Sequence, residues 1–261
     1  MQNIRNFLSA AGVAAVAALG MSTAALADDE NKFGYSITIS GTSDYVFRGL
    51  SYTNSDPAFQ PFIEFTYGKP DLTWYLDFWG SNIADPYGPF ELDMYAGVRP
   101  VFGPLAFDLG ILYYTYPNNS IPGKSNGDYI ELKLAATYTT PIPNLVVGAT
   151  GYFTPDQGIN WGQTETIEGN AAYTLPTVAS FTPVVSGVVG YTQGDDGFSP
   201  YGGNTDSYVY WNAGLKLTVD KYFMDFRYWD TNLSKADTAG AVQPFDTVDS
   251  RFVFTAGVNL P

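Results

Sequence analysis

Two carboxylates in the stretch Glu91-Leu92-Asp93 are the side chains of this sequence best placed for acid–base chemistry. Residues i and i+2 of an extended strand point to the same face, so these two carboxylates are predicted to lie side by side. Such a pair can divide the roles of general acid and general base. Since no sugar-binding cleft is indicated around them, we favour the lining of a polar interior over a glycosidase site.

A second pair of charges, Asp44 and Arg48, is predicted to share one face of the first strand. The two side chains could form an ion pair that contributes to a constriction, or a pair that only neutralises two buried charges. We favour the second interpretation, because a buried charge without a partner is costly.

The segment 230–241 begins like a calcium-binding loop. Its first, third and fifth positions hold oxygen ligands, namely Asp230, Asn232 and Ser234. Lys235 replaces the turn glycine and Ala241 replaces the bidentate glutamate, so the segment fails the calcium-loop pattern. Weak calcium binding by acidic loops such as 194–197 stays open, and no resident metal or cofactor is predicted.

The composition excludes several classes of protein. The 261 residues include no Cys and no His, which excludes disulfide frameworks, thiol catalysis, Ser-His-Asp triads and the commonest zinc ligand sets. The chain has 12 Lys and Arg against 26 Asp and Glu, with a net charge of −14. Nucleic-acid binding needs clustered basic residues and is therefore not expected. No enzyme activity is predicted.

The first 27 residues are predicted to be a signal peptide. One Arg precedes an apolar run at 7–21, and Ala25-Leu26-Ala27 forms a small-x-small cleavage site. The alternative, a membrane-anchoring helix, is disfavoured because the apolar run is shorter than the ~20 residues that a span needs. The mature chain is thus predicted to be an exported, single domain from residue 28 to residue 261.

Apolar and polar residues alternate with period two along the mature chain, which is typical of β-strands. No convincing amphipathic helix and no linker interrupt this pattern. The alternation predicts about twelve strands, at 34–48, 58–67, 71–81, 90–100, 105–116, 128–139, 144–153, 165–175, 183–192, 207–219, 221–230 and 249–260.

Short and long connections between these strands alternate along the chain. Outer-membrane barrels have an even number of strands, with short periplasmic turns and longer extracellular loops. The sequence therefore predicts an all-β, antiparallel, up-and-down transmembrane β-barrel.

Aromatic residues of the lipid-facing parity are predicted to form two girdles, at the two membrane interfaces. One girdle lies near the short connections and the other near the long ones. They comprise, respectively, Tyr35, Tyr67, Trp74, Phe107, Tyr138, Tyr173 and Tyr222, and Phe78, Phe90, Tyr113, Phe153, Tyr191, Trp211 and Tyr228.

The opposite parity carries interleaved acids, bases and aromatic rings, which is typical of a polar lumen with internal ion pairs. A soluble barrel would have the reverse polarity, with this face in water. The predicted charged lining comprises Asp44, Arg48, Glu64, Asp77, Glu91, Asp93, Arg99, Asp108, Glu131, Lys133, Glu168, Lys216, Asp225, Arg227 and Arg251. The predicted lumen aromatics are Tyr75, Tyr95, Tyr114, Tyr129, Tyr152, Tyr210 and Trp229.

The stretch SDYVFRGLSYTNSDPAFQP, at 43–61, resembles a bacterial family known as Gcw_chp or TorF-type porins. The resemblance continues in WGSN at 79–82, ELDMYAGV at 91–98 and DLGILYYTYP at 108–117. It implies an exported outer-membrane barrel of poorly defined function, without established catalytic residues. Pro61 stands where we expect glycine, and since proline cannot donate to a strand ladder we expect a bulge or an unpaired strand end there.

Three functions are compatible with such a barrel. The first is a channel for passive diffusion of small hydrophilic solutes, with a preference for cations because acids outnumber bases. The second is a substrate-preferring or binding barrel whose tyrosines stack on sugars or nucleosides, and the third is a plugged structural or adhesive barrel. The expected partners are outer-membrane lipid and lipopolysaccharide, the barrel-assembly machinery and small hydrophilic solutes. Twelve strands alone do not decide whether the pore is open.

Overall fold

A computed structural model describes residues 30–84, 88–118, 127–156, 162–194, 205–235, 237 and 245–261. The predicted signal peptide lies outside these residues. In the part of the chain that the model describes, no helix is long and apolar enough to cross a membrane.

Among the described residues, twelve strands form a closed antiparallel barrel, in which each strand pairs with its neighbours along the chain and the last strand closes the sheet against the first. Two further short strands pair only with each other. The strands are β1 (Lys32–Thr42), β2 (Val46–Phe47), β3 (Leu50–Ser51), β4 (Ala58–Lys69), β5 (Leu72–Asn82), β6 (Phe90–Phe102), β7 (Leu105–Thr115), β8 (Tyr129–Thr139), β9 (Leu145–Thr154), β10 (Thr164–Thr174), β11 (Thr182–Gly194), β12 (Ser207–Val219), β13 (Tyr222–Thr231) and β14 (Arg251–Leu260). The predicted barrel of about twelve strands is confirmed.

The short connections lie at one rim, and local chemistry explains how tight they are. Val219 pairs with Tyr222, so only two residues join β12 to β13, and Asp220 has a left-handed φ of 51°. Phe102 pairs with Leu105, and Gly103 supplies the positive φ that this two-residue turn requires. Both ends of the barrel sequence, at β1 and β14, also lie at this rim.

The two faces of the sheet have the polarity predicted for a lipid-embedded barrel. On β5, Trp74 and Leu76 are exposed on the outer face, whereas Tyr75, Asp77 and Trp79 are buried inside. Exposed aromatics occur on the outer face near both rims. They include Tyr35, Tyr67, Trp74, Tyr138, Tyr173 and Tyr222 near the short turns, and Phe90, Tyr191, Trp211 and Tyr228 near the long connections. The fold is thus a transmembrane barrel of the outer-membrane type.

The first strand is shorter than predicted. It ends at Thr42 instead of residue 48, and the chain then turns inward through β2 and β3 before β4 begins at Ala58. The period-two pattern continues through this segment because a hairpin strand has the same alternation as a barrel strand. The prediction that Asp44 and Arg48 share a face of the first barrel strand is therefore wrong.

Pro61 lies within β4 without a bulge in its register with β1, and only the ladder to β5 ends beside it. The ladder between β4 and β5 runs from Phe62 to Lys69, so Pro61 stands just beyond its end. On the other side, Pro61 is in register with Ile39 of β1. The backbone amide of Phe59 is instead satisfied by the Asn82 side chain, at 2.8 Å.

Candidate pore lining and the hairpin that crosses it

All the predicted lining residues lie on the inner side of the barrel. Most of the charged ones are buried, and Glu64, Arg99 and Arg251 are half-buried. The predicted aromatics are buried as well: Tyr75, Tyr95, Tyr114, Tyr129, Tyr152, Tyr210 and Trp229. The structure thus places both the charged and the aromatic side chains inside the barrel, and their role in selectivity stays a prediction.

Residues 43–57, which we call the inner hairpin, fold into the barrel and contact its walls on several sides. The Tyr45 ring lies 5.2 Å from the Trp79 ring on β5, and the Phe47 ring lies 6.2 Å from the Tyr114 ring on β7. At the tip, Arg48 and Gly49 both have positive φ, as a tight two-residue hairpin turn requires. A Cβ atom on Gly49 would lie 2.8 Å from Cβ of Tyr210 on β12, so only glycine fits there.

The base of the inner hairpin is held by the Asp44 carboxylate. Its Oδ1 accepts hydrogen bonds from the hydroxyls of Ser51, at 2.6 Å, and Thr53, at 2.7 Å. Its Oδ2 accepts from Arg251 Nη1 of β14 at 2.5 Å. Asp44 therefore joins the two arms of the hairpin to each other and to the barrel wall.

The tip of the inner hairpin is held by Arg48. Its Nη2 donates to Glu131 Oε1 on β8 at 2.8 Å, and its guanidinium lies 4.7 Å from the centre of the Tyr152 ring. Glu131 also accepts from the hydroxyls of Tyr114 and Thr154, at 3.1 and 3.0 Å. The predicted pair of Asp44 with Arg48 is therefore wrong, because each of these charges has a different partner.

A second ionic cluster surrounds Arg99, nearer the short turns. Arg99 lies 2.5 Å from Glu64, 3.7 Å from Asp77 and 3.5 Å from Asp108, and Lys133 lies 2.9 Å from the same Asp108 oxygen. The cluster therefore has three carboxylates and two bases.

Tyr75 packs against the barrel wall over two inward-facing glycines that are not among the predicted lining residues. Gly97 and Gly110 are in register with each other, and a Cβ on either would lie less than 3 Å from the Tyr75 hydroxyl. The flat surface that they leave allows Tyr75 to donate to Asp108 Oδ1 at 2.8 Å and to lie 3.9 Å beneath Arg99. Paired inward glycines, opposite each other on neighbouring strands, were the available signal.

The opposite wall carries a third cluster around Arg227. Arg227 donates to both oxygens of Asp225, to Asn212 Oδ1 at 2.5 Å and to Ser186 Oγ at 2.9 Å. Lys216 lies nearby, with its ammonium 4.4 Å from the centre of the Phe223 ring. Arg227 is therefore already saturated with acceptors and is not placed to capture a further anion.

Nearly the whole chain matches one bacterial protein family. The family model described as "Bacterial protein of unknown function (Gcw_chp)" matches residues 26–259. The chain belongs to the Gcw_chp family. The predicted family is confirmed, and no curated protein matches the chain.

Solved structures similar to this Gcw_chp protein are outer-membrane barrels of low sequence identity. The NanC porin has a TM-score of 0.53 and 10% identity, over 86% of this chain and 99% of that one. LpxR from Salmonella typhimurium has a TM-score of 0.50 and 10% identity, also over 86% and 99%. At this identity the likeness shows the fold alone.

The lumen of the Gcw_chp barrel is more tightly packed toward the long connections than toward the short turns. Near the long connections, buried side chains surround the inner hairpin, and the 3₁₀-helix Phe245–Val248 contacts β3. Tyr114 and Tyr129 stack with ring centres 4.4 Å apart. The stacked faces of these two rings are therefore covered and cannot bind a solute. Near the short turns, polar side chains are only half-buried, including Ser36, Thr66, Thr73, Arg99 and Asn170.

No metal centre is indicated among the described residues, where no group of three or more Asp and Glu could hold an ion. In the calcium-like segment, the Ser234 amide and hydroxyl donate to Asp237 Oδ2, at 2.7 and 2.6 Å, and these bonds lower the pKa of that exposed carboxyl. Lys235 pairs with Asp249 at 3.2 Å. Residues 236 and 238–241 of this segment, and the acidic loop at 195–197, lie outside the described residues.

Proposed function

We propose that this protein is an outer-membrane channel for passive passage of small hydrophilic solutes, in which the inner hairpin forms the constriction. Residues 1–27 serve as a cleaved signal peptide, and residues 28–261 form the single barrel domain. Outer-membrane lipid and lipopolysaccharide surround the barrel, and the barrel-assembly machinery inserts it.

The observation that carries this proposal is a polar, charge-lined interior narrowed by one element of the chain itself. A barrel that only anchors a surface domain has no need for ionic clusters around Arg99 and Arg227. Beneath Tyr45 and Val46 of the inner hairpin, a small cavity of about 20 Å³, enough for about one water molecule, borders Gln60, Asp225 and Trp229.

We further propose that the channel prefers cations. The lining that we assign has nine acids and six bases. A low-dielectric wall with excess negative charge concentrates cations, and the effect weakens as salt shortens the Debye length. The long connections add Asp56, Asp85, Asp156, Asp195, Asp196, Asp206, Asp237 and Asp246 against Lys124 and Lys235.

The second candidate function is a plugged barrel with a structural or adhesive role. It is favoured by the burial of the inner hairpin, in which Tyr45, Phe47 and Leu50 are at most 5% exposed. The two candidates differ in whether ions pass when the hairpin is shortened.

Single-channel conductance in a planar bilayer separates the candidates. We expect small, stable currents from the wild type, and larger ones when residues 46–51 are replaced by a short Gly-Ser turn. Reversal potentials in a KCl gradient should show cation preference that declines at high salt. The control replaces an equal number of residues in the connection between β9 and β10, which should leave the conductance unchanged. Silence of both the wild type and the hairpin variant would support the plugged barrel, and anion selectivity at low salt would refute the charge argument.

A further inference from the structure

Three neighbouring turns at the rim of the short connections carry no charged residue. They are 102–105 between β6 and β7, 140–144 between β8 and β9, and 175–181 between β10 and β11, and together we call them the apolar arc. The turn between β4 and β5 and the turn between β12 and β13 do carry charges, which are Lys69, Asp71, Asp220 and Lys221. Charge in the short turns is thus confined to one side of the barrel.

Apolar side chains at the tips of the apolar arc are exposed instead of packed against the barrel. Phe102 is 66% exposed, Ile142 57% and Val178 67%. This surface continues the lipid-facing one, because the Phe102 ring lies 6.1 Å from the ring of Phe107, a residue of the predicted girdle. Contiguous exposed apolar groups are costly in water, and they mark contact with a membrane or with another protein.

Several backbone polar groups of the apolar arc are hydrogen-bonded within the protein, as a segment that leaves water requires. At the tip of the third turn, Val178 and Phe181 each donate an amide to the other's carbonyl, at 3.0 Å. In the second turn, the Ile142 amide donates to Thr140 Oγ1 at 3.2 Å. Proline has no amide hydrogen, so fewer donors need partners. The prolines of the apolar arc are Pro104, Pro141, Pro143 and Pro176.

Hydrogen bonds also join the three turns to one another. The Thr139 amide, at the end of β8, donates to the Pro104 carbonyl of the first turn at 2.9 Å. The Thr174 amide, at the end of β10, donates to the Asn144 carbonyl of the second turn at 3.1 Å. The apolar arc is therefore one connected surface.

Lipid suits this surface better than a protein partner, because the apolar arc adjoins the lipid-facing girdle and offers no charge for the recognition of a particular protein. We propose that the apolar arc is immersed in the phospholipid leaflet on its side of the membrane, at the boundary between headgroups and acyl chains. The two charged turns stay in water, because charged side chains are costly in hydrocarbon.

The barrel is then embedded unevenly, more deeply along β6–β11 than along the strands that the charged turns join. The inference goes beyond the proposed channel function, because contact with lipid can be measured without any current. It also holds whichever side of the membrane the short turns face.

Site-directed spin labelling of the full-length barrel in phosphatidylcholine vesicles tests the immersion. The chain has no cysteine, so each single-cysteine variant carries one nitroxide. Oxygen concentrates in lipid, whereas a nickel chelate stays in water, and the ratio of their collision rates with the nitroxide reports its depth. We expect this ratio to be several-fold higher in Ile142→Cys and Val178→Cys than in Asp71→Cys and Lys221→Cys.

The last two variants are matched controls, because they place the same label on turns of the same rim. Leu76→Cys, on the outer face of β5, supplies the reference value for a lipid-facing label. Heat-modifiable migration on a gel verifies that each variant is folded. An equal ratio at all four turn positions would overturn the proposal. Shielding of positions 142 and 178 from both oxygen and the nickel chelate would also overturn it, because a second copy of the chain would then cover the apolar arc.

Discussion

Charged residues inside this barrel pair mostly with residues of distant strands, which the closed fold brings close to them. Arg48 pairs with Glu131, 83 residues later in the chain, and Asp44 pairs with Arg251, 207 residues later. Local sequence neighbours play a smaller part, although Arg227 and Asp225 do pair within one strand. The charged residues therefore act as links between distant strands as well as lining.

At the residue scale, Leu76→Arg should block assembly, whereas Asp77→Asn should be tolerated. Leu76 is 44% exposed on the outer face, and an Arg facing lipid near the midplane costs about 2–4 kcal/mol. Asp77 is one of three acids beside two bases, and among the described residues its Oδ1 has no hydrogen-bond partner, so its neutralisation should cost at most about 1.5 kcal/mol. Heat-modifiable migration on a gel measures both. Equal tolerance at the two positions would contradict a lipid-facing outer surface.

At the scale of elements, the inner hairpin distinguishes this interior from that of a plain cylinder. It is held at its base by Asp44, at its tip by Arg48 and along its length by aromatic packing. These three kinds of contact come from different strands, so the hairpin also braces the barrel from within.

Loss of the Asp44 carboxylate should release the inner hairpin. Breaking a buried ion pair costs about 3–5 kcal/mol, and each 1.4 kcal/mol changes an equilibrium by about tenfold. In Asp44→Ala we therefore expect trypsin to cleave after Arg48 at least about tenfold faster than in the wild type, where Arg48 is buried. Mass spectrometry of the fragments identifies this cut. Asp56→Ala, on the exposed part of the same loop, should behave like the wild type. An equally slow cut in Asp44→Ala would show that the contacts of Arg48 and the aromatic packing hold the hairpin without Asp44.

At the scale of the whole molecule, the barrel is asymmetric. The short turns, including those at 70–71, 103–104 and 220–221, lie at one rim, and the long connections lie at the other. In an outer membrane the short turns face the periplasm and the long connections face outward.

This orientation predicts which segments a protease reaches on intact cells. The connections at 195–204 and 232–245 should be cleaved from outside, although residues 195–204, 236 and 238–244 lie outside the described part of the chain. The turns near Lys69 and Pro141 should stay protected until the outer membrane is broken. Epitope tags at the two sets of positions provide the readout. Cleavage that begins at the short turns would mean the opposite orientation.

By itself, the sequence determined the strand number, the polarity of the two faces and the alternation of short and long connections. Those properties follow from the order of residues along one strand, because neighbouring side chains point to opposite faces. The inward turn of 43–57 and the partners of Asp44, Arg48 and Tyr75 were decided only by the tertiary structure. Apolar and polar residues alternate in a hairpin strand as they do in a barrel strand, so the pattern does not reveal the inward turn. Which side chains meet across the lumen depends on the closure of the barrel and on strand register, because these bring together residues far apart in the chain.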